Sequence, residues 1–220
     1  MDYKRLTLIC GHYGSGKTNI AVNLAVTLRK QQENVALADL DIVNPYFRAE
    51  DSRDLLEQNG IRLICSEFAN SNVDFPALPQ EIYSLTDDRS IHAILDIGGD
   101  ERGALALGRI VPSILAENDY EMWMVINRYR PLTPDAESTL DVFREIEEAC
   151  KMRFTGIINN SNIGRETTPE TVLASMDYAR ETAALAGLPL VMTTVEESLY
   201  PLLQDRIPDL FPLKLQEKIF

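Results

Sequence analysis

Leu6-Thr7-Leu8-Ile9-Cys10-Gly11-His12-Tyr13-Gly14-Ser15-Gly16-Lys17-Thr18 joins an apolar run of strand length to a glycine-rich turn, and a helix-like pattern follows. Gly11–Thr18 reads G-x-x-x-x-G-K-T in the strand, loop and helix context that gives this spacing its physical meaning. Glycines let the main chain curl tightly and approach phosphate oxygens with no Cβ in the way. The loop amides and the start of the next helix supply partial positive charge where an anion must sit. Gly11, His12, Tyr13, Gly14, Ser15, Gly16, Lys17, Thr18 and Asn19 are therefore the expected cradle for nucleotide phosphates. Lys17 reaches the β and γ phosphates in such a loop, and the Thr18 hydroxyl coordinates Mg²⁺.

Outward from this stretch, short apolar runs alternate with helical segments. The runs are Leu6–Cys10, Val35–Ala38, Ile61–Cys65, Ile91–Ile97, Met122–Ile126, Phe154–Ile158 and Leu188–Met192. Several are nearly continuous and rich in Ile and Val, as strands of a sheet covered on both faces are. After the phosphate loop, Ile20, Ala21, Leu24, Ala25 and Leu28 form one apolar helical face, with Asn19, Asn23 and Thr27 on another. Thr133-Pro134-Asp135 and Thr168-Pro169-Glu170 each offer a capping residue followed by proline, the expected opening of a helix. Gly187 is placed to end the second of these. The alternation implies right-handed crossovers and an α/β, three-layer, doubly wound, mostly parallel sheet with helices on both faces. With no repeat and no long linker, residues 1–220 are expected to form a single domain. Asn70–Gln80, with Pro76 and Pro79, is expected to be a surface loop.

Bulk properties narrow the partners. The chain has 220 residues, 45% hydrophobic and 25% charged, enough for a large core without disulfide staples. A net charge of -13 argues against nucleic acid, which demands a basic footprint. Cys10, Cys65 and Cys150 are scattered, and the only histidines are His12 and His92, so zinc or iron–sulfur ligation within one chain is not expected. Unpaired cysteines fit a reducing cytoplasm. No apolar stretch approaches the roughly 18 residues of a membrane span.

Doubly wound sheets bind ligands beyond the carboxyl ends of their strands. Asp39-Leu40-Asp41, Asp96-Ile97-Gly98-Gly99-Asp100, Asn127 and Asn159-Asn160 follow or close successive apolar runs. Hard Mg²⁺ prefers oxygen ligands and keeps several waters, so Thr18 with water-bridged Asp41 and Asp96 is a sensible shell. Asp41 is the candidate to orient an attacking water, with Lys17 as its catalytic companion, and Asp39 supports the metal or Thr18. Gly98 and Gly99 permit close approach to a γ-phosphate and movement of the loop. Asp41–Glu50 and Asp96–Gly103 are read as nucleotide-sensing loops.

Taken together, Gly11–Thr18, Asp39-Leu40-Asp41, Asp96-Ile97-Gly98-Gly99 and Asn159-Asn160-Ser161 resemble the MinD/ParA/CobQ-type (SIMIBI class) P-loop ATPases. The resemblance implies that Asp41 is the switch I aspartate, Asp96 the Walker B aspartate and Gly99 the start of switch II. It also implies that Asn160 hydrogen-bonds adenine and that Thr194–Glu197, after the last strand, passes over the base. ATP and Mg²⁺ are the implied cofactors, and a face-to-face homodimer or another protein is the implied partner. The class carries a second lysine early in the loop, where this chain has His12. Histidine there is either a pH-dependent substitute or a simple loop residue. Arg48, Arg102 and Arg109 are alternative cations near the switch loops. Asn44-Pro45-Tyr46-Phe47-Arg48 either contacts a partner or anchors its loop to the core. The tail from Leu213 is expected to pack on the domain rather than bind a membrane. The expected function is a slow ATPase serving as a nucleotide-controlled switch for a protein partner, such as one receiving a metal or cofactor. A small-molecule ligase or kinase of the dethiobiotin synthetase/CobQ type, and a scaffold with negligible turnover, are the alternatives.

Overall fold

The computed structural model describes residues 3–41, 49–65, 80–98, 103 and 107–215. Eight strands form one sheet: β1 (Leu6–Cys10), β2 (Val35–Leu40), β3 (Ile61–Cys65), β4 (His92–Ile97), β5 (Tyr120–Ile126), β6 (Gly156–Asn159), β7 (Leu190–Glu196) and β8 (Leu210–Leu213). Their order is β3-β2-β4-β1-β5-β6-β7-β8. Every neighbouring pair is parallel, which explains why several strands read as nearly continuous apolar runs.

Side chains alternate across a strand, so each run feeds two cores. Leu6, Leu8, Ala36, Ala38, Leu95, Met122 and Met124 pack on one face, against Val142, Phe143 and Ile146 of one helix and Ala179 and Ala183 of another. Ile9, Val35, Leu37, Ile94, Val125 and Ile158 pack on the other, against Ile20, Ala21, Leu24, Ala25 and Leu28. Each fully buried Leu or Ile contributes about 1.5–3 kcal/mol relative to exposure. Among the described residues, helices include α1 (Lys17–Arg29), α2 (Arg53–Gln58), α3 (Ser84–Asp87), α4 (Val111–Glu117), α5 (Ala136–Cys150), α6 (Pro169–Ala174), α7 (Met176–Ala186) and α8 (Tyr200–Leu203).

Local sequence explains most helix ends, with two differences from expectation. Helix α5 is capped by Asp135, whose carboxylate accepts the Ser138 amide at 2.8 Å. Thr133 instead donates its hydroxyl to the Asn127 carbonyl at 2.7 Å, which closes the preceding turn. Thr168 does cap α6, in a capping box with Thr171 and with Pro169 in the first turn. The helix does not run unbroken to Gly187, however. Ser175 separates α6 from α7, turning its hydroxyl back to the Val172 carbonyl at 2.7 Å while accepting the Asn159 amide at 3.0 Å. Gly187 ends α7 in the left-handed conformation, φ 68°.

Strand β8 is a further difference. Leu210-Phe211-Pro212-Leu213 is short and carries a proline, which an edge strand tolerates. Leu213 is 2% exposed within the α1-side core, so the start of the tail packs on the sheet, while Leu215 is exposed. Asn23 of α1 clasps Lys214, accepting its amide at 2.9 Å and donating to its carbonyl at 3.0 Å.

Candidate phosphate-binding site

The β1–α1 turn has the form a bound anion needs. Gly16 precedes α1 at φ 92°, and no side chain caps the helix start. The first helical amides are thus left for an external acceptor. A Cβ on Gly16 would lie 2.2 Å from the Asn160 side-chain nitrogen. One on Gly11 would meet the Val125 carbonyl oxygen at 2.5 Å. Within the turn, Ser15 donates its amide to the His12 carbonyl at 3.1 Å. His12 places Nδ1 3.0 Å from the Tyr13 carbonyl oxygen, and Tyr13 is exposed. The Ser15 hydroxyl is buried with no partner among the described residues. Asn19 is half-buried in the first turn of α1, and its carbonyl accepts Asn23 Nδ2 at 2.8 Å.

Three aspartates surround the base of the turn. Asp39 lies inside β2 rather than after it, directly opposite Asp96 of β4. Asp96 is wholly buried and accepts the Thr18 hydroxyl on Oδ2 at 2.6 Å. Its Oδ1 has no partner among the described residues. Burial, and next the Asp39 charge, push the Asp96 carboxyl up to about 8 against the opposing pull of Lys17 and Thr18. Asp39 accepts the Asp41 amide on Oδ1 and the Ala49 amide on Oδ2, both at 3.1 Å, which ties together the two ends of segment 42–48. Lys17 and Asp41 form a buried ion pair, Nζ to Oδ2 3.5 Å. Gly98 approaches Gly103 so closely that a Cβ on Gly103 would meet the Gly98 oxygen at 2.4 Å.

Asn160 reaches the turn from the end of β6. Its Nδ2 donates to the Ser15 carbonyl at 2.6 Å, and its Oδ1 accepts the Thr194 hydroxyl at 2.7 Å. The structure therefore places its amide against the phosphate loop. Thr194 lies within β7, which runs to Glu196 and is followed by β8. Asn127 and Asn159 brace the same edge. Asn127 accepts the Tyr129 amide at 3.0 Å, and Asn159 accepts the Ser161 hydroxyl at 2.7 Å.

The structure thus gathers Gly11–Thr18, Asp39, Asp41, Asp96 and Asn160 at one sheet edge, and Arg109 is exposed. Gly99, Arg48, Arg102, Asn44–Arg48 and most of Asn70–Gln80 lie outside the described residues. Arg130 was not expected at the site. Its guanidinium lies across Gly14, with Nε 3.5 Å from where a Cβ would stand. The available signal was a cation shortly after the apolar run of β5, the strand beside β1.

Thr18, Asp41 and Asp96 offer the hard oxygen atoms a divalent cation prefers. Among the described residues, no group of three or more His, Cys, Asp and Glu side chains is gathered to hold a metal by itself. A cation here would take the rest of its shell from phosphate and water. All three cysteines are free, and no described helix is long and apolar enough to cross a membrane.

A parallel sheet with an uncapped glycine turn after its central strand defines a P-loop nucleotide-binding domain of the α/β class. The chain belongs to the CobQ/CobB/MinD/ParA nucleotide-binding domain family, whose model matches residues 7–196. No curated protein matches the sequence significantly. Among solved structures, a cell division protein FtsY from Thermotoga maritima is similar, with TM-score 0.55 and 21% identity over 87% of this chain and 62% of that one. Chloroplast FtsY from Physcomitrella patens gives TM-score 0.55 and 17% identity over 88% of this chain and 59% of that one. The signal recognition particle 54 kDa protein from Aeropyrum pernix, in complex with GDP, gives TM-score 0.52 and 17% identity over 87% of this chain and 41% of that one. At these identities the likeness is one of fold. The chain spans less than two thirds of the length of each.

Proposed function

We propose that the chain binds MgATP, hydrolyses it slowly, and uses the bound state as a switch for a protein partner. The observation that carries this reading is the junction of three parts at one sheet edge. These are the uncapped turn Gly11–Thr18, the Thr18–Asp96 bond and the Lys17–Asp41 pair. Asp39, Asp41 and Asp96 outnumber Lys17, and a polyphosphate adds further negative charge. Binding is therefore expected to need a divalent cation. Thr18 would hold Mg²⁺ directly and Asp41 and Asp96 through water, and the ion would offset negative charge on the phosphates.

Lys17 is engaged by Asp41. A phosphate draws the ammonium away, and Asp41 is then released to hold a water by its freed oxygen. Asp39 carries the change outward, because its carboxylate fastens both Asp41 and Ala49 at the ends of segment 42–48. Adenine is the base that the family resemblance implies, although the Asn160 amide is itself committed to the Ser15 carbonyl and the Thr194 hydroxyl. The named neighbour that holds GDP makes MgGTP the necessary competitor.

Calorimetry with MgATP and MgGTP tests the base, and tighter binding of MgGTP would overturn the adenine assignment. Asp41→Ala is expected to keep nucleotide affinity within a few-fold and to lower turnover about 10- to 100-fold. Undiminished turnover would remove Asp41 from the mechanism.

A further inference from the structure

We infer that Arg130 is a second cation of the phosphate site, supplied by the same chain, which contacts the phosphate groups of a nucleotide held by Gly11–Thr18. This rests on the phosphate-loop reading and adds a residue to it.

Arg130 stands in the short turn between β5 and α5, and that turn is firmly built. The Asn127 carbonyl accepts the Arg130 amide, and the Arg130 carbonyl accepts the Thr133 amide, both at 3.1 Å. The two preceding side chains are committed to structural bonds. Arg128 donates to the Ala174 carbonyl at the end of α6 at 2.7 Å, and its guanidinium lies 5.8 Å and 5.9 Å from the rings of Tyr129 and Tyr178. Tyr129 donates its hydroxyl to the Thr171 carbonyl at 2.8 Å. A rigid turn thus aims one remaining arginine at the loop.

The Arg130 guanidinium is not used in this way. Its Cδ, Nε and Cζ lie 3.8, 3.5 and 3.6 Å from the position of a Cβ on Gly14, so the group rests on the middle of the phosphate loop. Nε is buried and has no hydrogen-bond partner among the described residues. A buried donor on a charged group is costly to leave unmatched, and each such case calls for an explanation. Pairing with the nearby acids is not that explanation. Lys17 is the described ion-pair partner of Asp41, and the described ion pairs of Arg130 are none. The buried Ser15 hydroxyl, also without a partner, belongs to the same turn. Two unmatched donors, one on the loop and one lying against it, beside uncapped helix amides, define a site for an anion with several oxygens. The planar guanidinium is well suited to such an anion, because its N–H groups can bind two phosphate oxygens at once. A large side chain at position 14 would displace the guanidinium, so glycine is needed there for this contact as well as for its φ of 75°.

The test compares Arg130→Ala, Arg130→Gln and Arg130→Lys with Lys17→Ala, with MgATP and MgADP as ligands. Calorimetry gives affinity, and thermal unfolding without nucleotide gives stability. Loss of Arg130 is expected to raise the Kd for MgATP about tenfold or more, the usual size of a lost charge-assisted bond. The lysine variant should recover part of the loss. The midpoint of unfolding without nucleotide should stay level or rise in the alanine and glutamine variants, since an unmatched buried donor has been removed. A lower midpoint with unchanged Kd would show that Arg130 only braces Gly14, and would overturn the inference. Lost affinity in Lys17→Ala with wild-type affinity in Arg130→Ala would remove Arg130 alone. Wild-type affinity in Lys17→Ala would remove the phosphate loop, and the role of Arg130 with it.

Discussion

Arg5 and Asp96 are both buried ionisable residues beside the centre of the sheet, 4% and 0% exposed, but at opposite ends of it. Arg5 precedes β1. Its guanidinium pairs with Glu117 at the end of α4 and donates to the Leu85 and Ile91 carbonyls, each at 2.8 Å. Charge and hydrogen bonds are matched inside the chain, and Arg5 holds the Glu117 carboxyl below the usual carboxylate range. Asp96 at the other end has one oxygen bound to Thr18 and one bound to nothing described, and it faces Asp39 across β2 and β4. Satisfied polar networks give rigidity, and unsatisfied ones are expensive unless a ligand completes them. One end of the sheet is thus a finished fastening. The other keeps a buried carboxylate oxygen with no partner among the described residues.

The sharpest way to break the contrast is to damage the fastened end. Arg5→Ala leaves Glu117 without its partner, and loss of half of a buried ion pair costs about 3–5 kcal/mol. Urea unfolding should show that loss, while the nucleotide affinity of the folded fraction stays at the wild-type value. Reduced affinity at full folding would mean that the two ends are coupled.

Asn160→Ala comes next, because Asn160 is the strut that joins β6, β7 and the loop. It takes the Asn160 donor from the Ser15 carbonyl and leaves the Thr194 hydroxyl only its 3.4 Å bond to the Asn159 carbonyl, a cost of about 1–3 kcal/mol. Here stability and nucleotide affinity should fall together. A stability loss with no change in affinity would separate the strut from the site.

The smallest effect has the opposite sign. Asp96→Asn removes the buried charge that the carboxyl gains as pH rises through about 8, yet keeps an oxygen to accept the Thr18 hydroxyl. Above that pH and without nucleotide, its melting temperature should exceed the wild-type value by a few degrees, and Mg²⁺ should no longer strengthen nucleotide binding. The pH dependence follows from the same carboxyl. Asp96 titrates near 8 in the fold against 3.8 for an unperturbed aspartate, so the fold binds its proton more tightly than the unfolded chain does. Its contribution to stability is complete below the unfolded value and fades as pH rises through the folded one. The nucleotide-free protein should therefore lose stability from this group between about pH 4 and pH 8, and the asparagine variant should lack that slope. Glu117 works in the reverse direction, since its lowered value makes its contribution disappear in acid. A wild-type slope retained in Asp96→Asn would assign the effect to another group.

How much of this could be read from residue order depends on the distance over which each feature is determined. Strands β1 and β3 lie where the apolar runs place them: β1 is buried throughout, and β3 buries Ile61 and Ile64 although Arg62 is exposed. Strand β8 escaped because four residues with a central proline do not carry such a pattern, and its place is fixed by pairing with β7. The break at Ser175 escaped because its cause, the Asn159 amide, is distant in sequence. Asp39 was assigned to the residues after β2, yet the strand continues to Leu40, and pairing with β4 decides that extension.

Contiguous chemistry was legible in the chain itself. The glycines, Lys17 and Thr18 act through one turn of main chain, and the alternation of apolar runs with helices was sufficient for a parallel sheet. Tertiary packing alone decided which acids share the buried edge, that the Asn160 amide braces the Ser15 carbonyl, and that Arg130 rests on Gly14. Those relations bring together residues from separate crossovers, and burial then sets their charge and hydrogen bonding. Electrostatic cost depends on three-dimensional distance and access to water, which residue order does not specify.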